Sequence, residues 1–323
     1  MREPLFLKPV FHEKIWGGND LKKIFNYNIP SNKTGECWGI SGHPHGTTTI
    51  VNGKFKNYKL DDLWKKHPEI FGNLNTKKPF PILTKILDAH DDLSVQVHPN
   101  DEYAKIHEHE LGKTECWYII QAKPGAKLFY GHNAKNKQEL KKWINDSQWN
   151  KLLKRKPVKA GDFIYVPSGT VHALGSGIMA LETQQSSDST YRLYDFNRID
   201  KKTGHKRPLH IKQALDTITV PFSEPQLKFK TKIIDKAKLT RLVEAPYFKV
   251  YKLALKNGKA NLNFSSPFKL MSVISGEGNL IINNKKFGLS KGGHLILPSS
   301  IKKWQINGKN LLVIMSVPGK KIH

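Results

Sequence analysis

Residues 161–172 read GDFIYVPSGTVH: a glycine, five residues, a proline, a short turn and then His172. An imidazole delivered by a Pro-Ser-Gly turn at a strand entrance is either a hydrogen-bonded interior ring or a metal ligand. Partners decide between the two. In SVQVHP (94–99), Gln96 and His98 are two apart, so on a strand they share a face while Val95 and Val97 take the other. In GKTECWYII (112–120), Lys113 and Glu115 share a face by the same rule. Two imidazoles, one carboxylate and one amide oxygen make a donor set suited to zinc, with a coordination position left open for water or substrate. Each residue also has a plain structural reading. A single strand histidine is commonly a core or rim residue, Glu115 can be a satisfied interior carboxylate, and Gln96 alone carries no information. Other pairs read as structural or surface. His43 and His45 flank Pro44 in a loop between glycines, and His107 and His109 fall in a helical stretch where two-residue spacing splays them apart.

These residues need a framework, and the sequence supplies mostly short strands. The runs at 47–55, 94–99, 116–122, 127–131 and 163–167 are rich in β-branched and aromatic residues and are separated by Gly, Pro and Asn-Asp punctuation. Helical periodicity predicts three insertions, over about 60–72, 136–153 and 207–218. Regularly spaced strands with a few helices point to a mainly β protein of barrel or sandwich type. The stretch 223–232 reads as a linker running into a strand, and a second all-strand block follows. Within it GGHLILPSSIKK (292–303) lies on GDFIYVPSGTVH without a gap: Gly292 on Gly161, Pro298 on Pro167, Ser299 on Ser168, and Lys303 in place of His172. The expected organisation is a catalytic unit over 1–230 and a related C-terminal unit over 231–323 that lacks the metal ligands.

Composition narrows the setting. The 323 residues, 38% hydrophobic and 25% charged, fit a soluble globular chain with a substantial core. No apolar run approaches the roughly 20 residues that cross a bilayer, and the first residues carry no signal-peptide core. Cys37 and Cys116 form no C-x-x-C pair, which argues against a disulfide scaffold or thiolate finger and for a reducing cytoplasm. Fifty-three Lys and Arg against 27 Asp and Glu give a net charge of +26. The lysines are scattered in pairs with no basic stripe interleaved with aromatics, so the excess reads as solvated surface plus a local anion pocket rather than a nucleic-acid site.

The spacing G-x5-P-x-G-x2-H over 161–172 matches the second motif of the cupins, and Gln96, His98 and the more distant Glu115 match the first. A glutamine in the first ligand position resembles the type I mannose-6-phosphate isomerases (phosphomannose isomerases). Further stretches resemble their Bacillus-type branch: KIWGG (14–18), GECWGIS (35–41), LSVQVHPND (93–101), GTVHALGSGI (169–178), ETQQSSDSTYRLYDFNR (182–198) and RPLHIKQALD (207–216). Cys116 and Asn197 depart from the branch pattern without touching a ligand position. The resemblance implies two cupin barrels (double-stranded β-helix, or jelly roll) with inserted helices, and one Zn2+ per chain held by Gln96, His98, Glu115 and His172. The implied reaction is interconversion of mannose 6-phosphate and fructose 6-phosphate through an enediol. Arg192 matches the family's catalytic arginine, its ordinary alternative being a salt bridge with Asp188. Lys113 and Glu182 also fall on family positions. The proton-shuttling base is open among Lys113, Glu182, Asp188 and a zinc-bound water, while Ser94 and Lys85 are candidate phosphate or hydroxyl contacts. The expected partners are a sugar phosphate, no membrane and no nucleic acid, in a monomer or homodimer. Two other readings stand beside this one: a metal cupin acting on another sugar, sugar phosphate or oxidisable substrate, and a non-catalytic sugar- or polyanion-binding cupin.

Overall fold

Short β-branched and aromatic runs become antiparallel strands throughout the computed structural model, which describes residues 2–322. In chain order the first part comprises β1 (Leu5–Lys8), β2 (Val10–Gly18), α1 (Asp20–Phe25), β3 (Thr34–Ile40), β4 (Thr49–Ile50), α2 (Leu60–Lys66), β5 (Ile82–Ala89), β6 (Val95–Val97) and α3 (Asp101–His107). There follow β7 (Glu115–Ala122), β8 (Lys127–His132), α4 (Lys137–Asn145), α5 (Trp149–Leu152), β9 (Leu153–Pro157), β10 (Phe163–Val166), β11 (His172–Ala173), β12 (Ile178–Gln185), β13 (Tyr191–Tyr194) and α6 (Ile211–Thr217). The remainder is all strand: β14 (Lys230–Ile234), β15 (Ala237–Glu244), β16 (Phe248–Asn263), β17 (Lys269–Ile282), β18 (Lys285–Ser290), β19 (His294–Leu297) and β20 (Lys303–Pro318).

Two sheets carry the first ligand candidates. One has the order β10-β7-β12-β5-β3-β2 and the other β13-β6-β11-β8-β9. Residues directly opposite in an antiparallel pair project to the same face, so the registers define rows of neighbours. Trp38, Lys85, Glu182 and Trp117 form one row across four strands of the first sheet. Glu115 faces Gln184 one step along the same face. In the second sheet Arg192, Gln96 and His172 form a row across β13, β6 and β11.

The later strands make a nine-stranded sheet, β14-β15-β16-β20-β17-β19-β1-β4, with β18 on β17. It recruits two strands from the start of the chain, β1 pairing β19 through Leu5–Ile296 and Leu7–His294. Each half has a core of its own, and a third cluster joins them. There Trp64, Phe71 and Phe80 pack on Phe268, with ring centroids 5.5 Å apart in the stacked Phe80–Phe268 pair. The repeated turn is visible in the backbone: Gly161 (φ +93°) and Gly292 (φ +85°) both take the left-handed conformation that glycine adopts without penalty. Lys303, aligned with His172, is exposed, and the next residue, Trp304, fills the interior instead.

All three expected helices are shorter than their periodicity suggests. The 60–72 segment splits into α2 and a single 3-10 turn at Pro68–Phe71, because Pro68 has no N–H to donate and drives His67 out of helical geometry. The 136–153 segment starts at an Asn136 cap that accepts the Glu139 N–H (2.8 Å), breaks at Ser147 (φ +53°) and resumes as one turn before β9. Over 207–218 only α6 is helical. Arg207 is held in an extended approach by its paired hydrogen bonds to Asp195 (2.9 and 2.7 Å). The predicted strand over 47–55 reduces to β4 and a 3-10 turn at Gly53–Phe55, and His109 (φ +55°) lies beyond the end of α3.

Candidate metal centre

The two sheets press their ligand rows together. His98 Nε2 lies 3.3 Å from Glu115 Oε2, and His172 Nε2 lies 3.3 Å from Glu115 Oε1. One donor atom from each of His98, Glu115 and His172 falls within 4.8 Å of the others, and all three side chains are buried. Among the described residues this is the one such cluster of three His, Cys, Asp or Glu donors. Burying a carboxylate and an imidazole with no hydrogen-bond partner is costly. Yet both Glu115 oxygens and both His98 nitrogens have none. A divalent cation would supply the partner that both Glu115 oxygens and His98 Nε2 lack, so the residues fit a metal.

Protonation favours the same conclusion. Burial, followed by the charge of Lys113, drives the His98 pKa well below its ordinary value. Burial also lowers His172. Both rings are therefore held neutral, with a lone pair to give. His172 Nδ1 donates to the Thr170 carbonyl at 2.8 Å, which fixes the tautomer and leaves Nε2 free to ligate. Gln96 brings its amide to 3.4 Å from His172 Nε2, so a half-turn of that amide presents its oxygen as a fourth donor.

A cavity of about 290 Å³ opens beside the cluster. Five cationic side chains (Lys14, Lys85, Lys113, Arg192 and Arg207) line it against three carboxylates, Glu36, Glu182 and Asp188. That excess, before any metal is added, suits an anionic substrate. Lys113 Nζ sits 3.9 Å from Glu115 Oε2. Lys85 Nζ pairs with Glu182 Oε1 at 3.0 Å, and Trp117 Nε1 donates to Glu182 Oε2 at 2.8 Å. Burial opposes the charge on Lys85, but Glu182 and Glu36 outweigh it and hold the ammonium. The Arg192 guanidinium donates to the Pro208 carbonyl at 2.9 Å, and its buried Nε has no partner. The expected alternative of an Arg192–Asp188 pair is absent among the described ion pairs. Asp188 Oδ2 lies against His45 Nδ1 at 2.9 Å.

All ten residues singled out in the sequence thus converge: Gln96, His98, Glu115 and His172 at the cluster, and Lys85, Ser94, Lys113, Glu182, Asp188 and Arg192 around it. The sequence reading did not single out Lys14, Glu36 or Arg207. Their signal was present, since each lies in a stretch that carries the resemblance, KIWGG, GECWGIS or RPLHIKQALD. Glu36 is fully engaged, accepting from Trp38 Nε1 at 2.7 Å and facing Lys14 Nζ at 3.3 Å.

Comparison with known proteins agrees with this geometry. The family described as phosphomannose isomerase type I, catalytic domain, matches residues 5–119, and the mannose-6-phosphate isomerase cupin domain matches residues 238–318. Mannose-6-phosphate isomerase of Streptococcus mutans is 52% identical over 95% of this chain and 96% of its own length. The chain belongs to the type I phosphomannose isomerase family. Within that family of aldose–ketose isomerases, Bacillus subtilis ManA is 50% identical over 95% of this chain and 96% of its own. The crystal structure of a mannose 6-phosphate isomerase from Bacillus subtilis superposes with a TM-score of 0.94 at 46% identity, covering 98% of this chain and 99% of that one. The fold is therefore the mainly β cupin fold of the phosphomannose isomerases. No helix among the described residues is long and apolar enough to cross a membrane.

Proposed function

We propose that this chain is a zinc-dependent mannose-6-phosphate isomerase. The observation that carries the reading is a buried His98–Glu115–His172 cluster beside a cavity lined by Gln96, Lys113 and four further cationic side chains. Lewis-acid polarisation of the sugar's O1 and O2 is what a zinc ion held by those three residues, with Gln96 as fourth ligand, would supply. The remaining chemistry falls to the chain. Glu182 is the proposed base: it takes the proton from C2 of the aldose and returns it to C1, while a second proton passes from O2 to O1. Lys85, paired to it at 3.0 Å, and Trp117 Nε1, donating at 2.8 Å, hold it in place. Lys113 faces the developing enediolate beside the metal ligands, and Arg192 offers its unpartnered Nε to substrate oxygens. Ser94 and Asp188 take sugar hydroxyls. Arg192 and Arg207 bring two guanidinium groups to the cavity wall, a pair of fixed charges that suits a phosphate dianion.

The proposed organisation is a catalytic unit over 1–230 and a C-terminal unit over 231–323 without metal ligands, with β1 and β4 lent to the second. We place the enzyme in the cytoplasm as a monomer or homodimer, in line with its two free, buried cysteines.

The test is conversion of mannose 6-phosphate to fructose 6-phosphate by the purified protein, as prepared, after chelation and after zinc is restored. Activity lost on chelation and regained with zinc is the expected result. Inactivity in every state, with metal stoichiometrically bound, would sink the substrate assignment.

A further inference from the structure

Three hydrogen bonds and one histidine ring converge on a carboxylate outside the metal cluster. Glu110 follows α3, and its Oε2 accepts from Ser187 Oγ (3.0 Å), the Asp188 backbone N–H (3.2 Å) and Ser189 Oγ (2.8 Å). Its Oε1 lies 3.5 Å from Nε2 of the buried His43. His43 Nδ1 accepts the His45 backbone N–H at 3.2 Å, so the ring proton must sit on Nε2, aimed at Glu110. His45 Nδ1 in turn meets Asp188 Oδ2 at 2.9 Å. The contacts close a ring: Glu110 holds the backbone of Asp188, Asp188's carboxylate holds His45, His45's amide fixes the tautomer of His43, and His43 faces Glu110. The His43 contact leads the interactions that bring the Glu110 pKa down to about 2, so the carboxylate accepts from every side at neutral pH.

We propose that Glu110 is a positioning residue for Asp188, fixing the 187–190 turn at the cavity wall by clamping its backbone directly and its carboxylate through His43 and His45. The proposal rests on the isomerase reading, because Asp188 matters to turnover only if the cavity holds the sugar. Neither Glu110 nor His43 lines the cavity, so they act through Asp188, which does. Without the ring, the 187–190 segment would keep the bonds of Ser187 to Gln184 Nε2 (2.7 Å) and the Gln185 carbonyl (2.8 Å) and the Ser189 N–H bond to Ser187 Oγ (3.3 Å), none of which reaches Asp188 itself.

Glu110→Gln is the diagnostic change. It preserves shape, but an amide NH2 in place of Oε1 meets the His43 Nε2–H donor to donor and forces the ring toward its other tautomer. That tautomer then opposes the His45 N–H. The first measurement is the pair of His43 ring nitrogen signals by NMR in the metal-loaded wild type and the variant. It needs no turnover. The second is kcat/KM for wild type, Glu110→Gln, Asp188→Asn and the double variant. Expected are an Nε2–H tautomer in the wild type that shifts in Glu110→Gln, unchanged metal content, and a roughly tenfold to hundredfold loss of kcat/KM. In the Asp188→Asn background the Glu110 change should cost less than about twofold, the signature of coupled residues.

Additive losses, unchanged kinetics or activity that falls in step with metal content would overturn the proposal. Should Glu110→Gln fail to fold, His45→Ala breaks the ring at a largely exposed side chain and is expected to show the same coupling to Asp188→Asn. An inactive wild type would overturn the isomerase reading instead, and the His43 signals would then decide whether the clamp exists.

Discussion

Lys269 and Glu115 occupy the same position in two copies of one strand pairing. Glu115 on β7 faces Val166 at the end of β10, and Lys269 on β17 faces Leu297 at the end of β19. Val166 and Leu297 are the same step of the two Gly-x5-Pro runs. The parallel continues past the proline. In the first copy the Thr170 carbonyl receives His172 Nδ1 at 2.8 Å, and in the second the corresponding Ile301 carbonyl receives Lys269 Nζ at 2.7 Å. Where one half places a carboxylate in the candidate metal cluster, the other buries an ammonium of its own, with the Trp304 ring 5.8 Å from it.

That buried ammonium sets an alkaline stability window. Burial lowers the Lys269 pKa to about 8 from its ordinary 10.5. Between these values the unfolded chain binds a proton that the native chain has released, so stability rises with pH through the window, by up to about 3 kcal/mol. Urea midpoints measured from pH 7.5 to 10 should show that rise in the wild type. Lys269→Met should lack it, while staying within about 1 kcal/mol at pH 7.5, since losing a buried charge offsets leaving one carbonyl unpaired. A variant that keeps the full alkaline rise would show that the slope comes from other groups.

At the acid end the corresponding group is His294. It is buried between Ser272 Oγ (2.8 Å to Nδ1) and Tyr27 Oη (3.0 Å to Nε2), and burial brings its pKa down to about 4. Between pH 6.5 and 4 the unfolded state takes up a proton that the folded state refuses. Stability is then lost as pH falls, by up to about 3 kcal/mol over the window. His294→Gln, which keeps one donor and one acceptor, should flatten the slope between pH 6.5 and 4.5. An identical slope in the two proteins would remove His294 from the account.

Glu182→Gln should separate chemistry from binding. The isostere keeps the Trp117 Nε1 bond but cannot take a proton, so kcat should fall by roughly 10²- to 10⁴-fold. Metal content and KM should stay within about threefold. A residual kcat within tenfold of wild type would move the base to Asp188 or Lys113.

Metal removal should be felt in stability as well as turnover. At a free concentration 1,000 times Kd, a ligand that binds the native state alone adds about 4 kcal/mol. The apo protein also keeps Glu115 and His98 without partners. Calorimetry before and after chelation should show a lower Tm in the apo protein, and His172→Ala should sit near the apo value whether or not zinc is added. A variant that still gained stability from zinc would mean that His172 is not required for binding.

Much of the site was legible because it obeys a period of two. Gln96 with His98, and Lys113 with Glu115, had to share faces, and the Gly-x5-Pro-x-Gly-x2-His spacing pointed to His172 as the third member of the candidate cluster. What escaped depends on partners distant in sequence. Lys14 and Glu36 enter the cavity only because β2 and β3 extend the sheet that carries Lys85. Arg207 enters because Asp195 pins it. The alignment of Lys303 with His172 held in sequence but not in space, since the side chain that turns inward is that of Trp304. His43 and His45 read as loop residues, and only the fold shows them tied to Glu110 and Asp188. The helices ran short at Pro68 and Ser147, where local backbone geometry overrode apolar periodicity.

The pairing of β1 with β19 bears on how the chain is made. Leu5 and Leu7, both buried, belong to a ladder whose other side begins at His294. A ribosome must therefore deliver nearly 290 residues beyond β1 before that strand, paired with β4 on one side, finds its second neighbour. Throughout that interval the nascent chain carries an apolar edge with unpaired amides, the kind of surface that chaperones cover and that invites aggregation when they do not. A strand from the second half of the chain, rather than the residues of the candidate metal cluster, completes the sheet around β1.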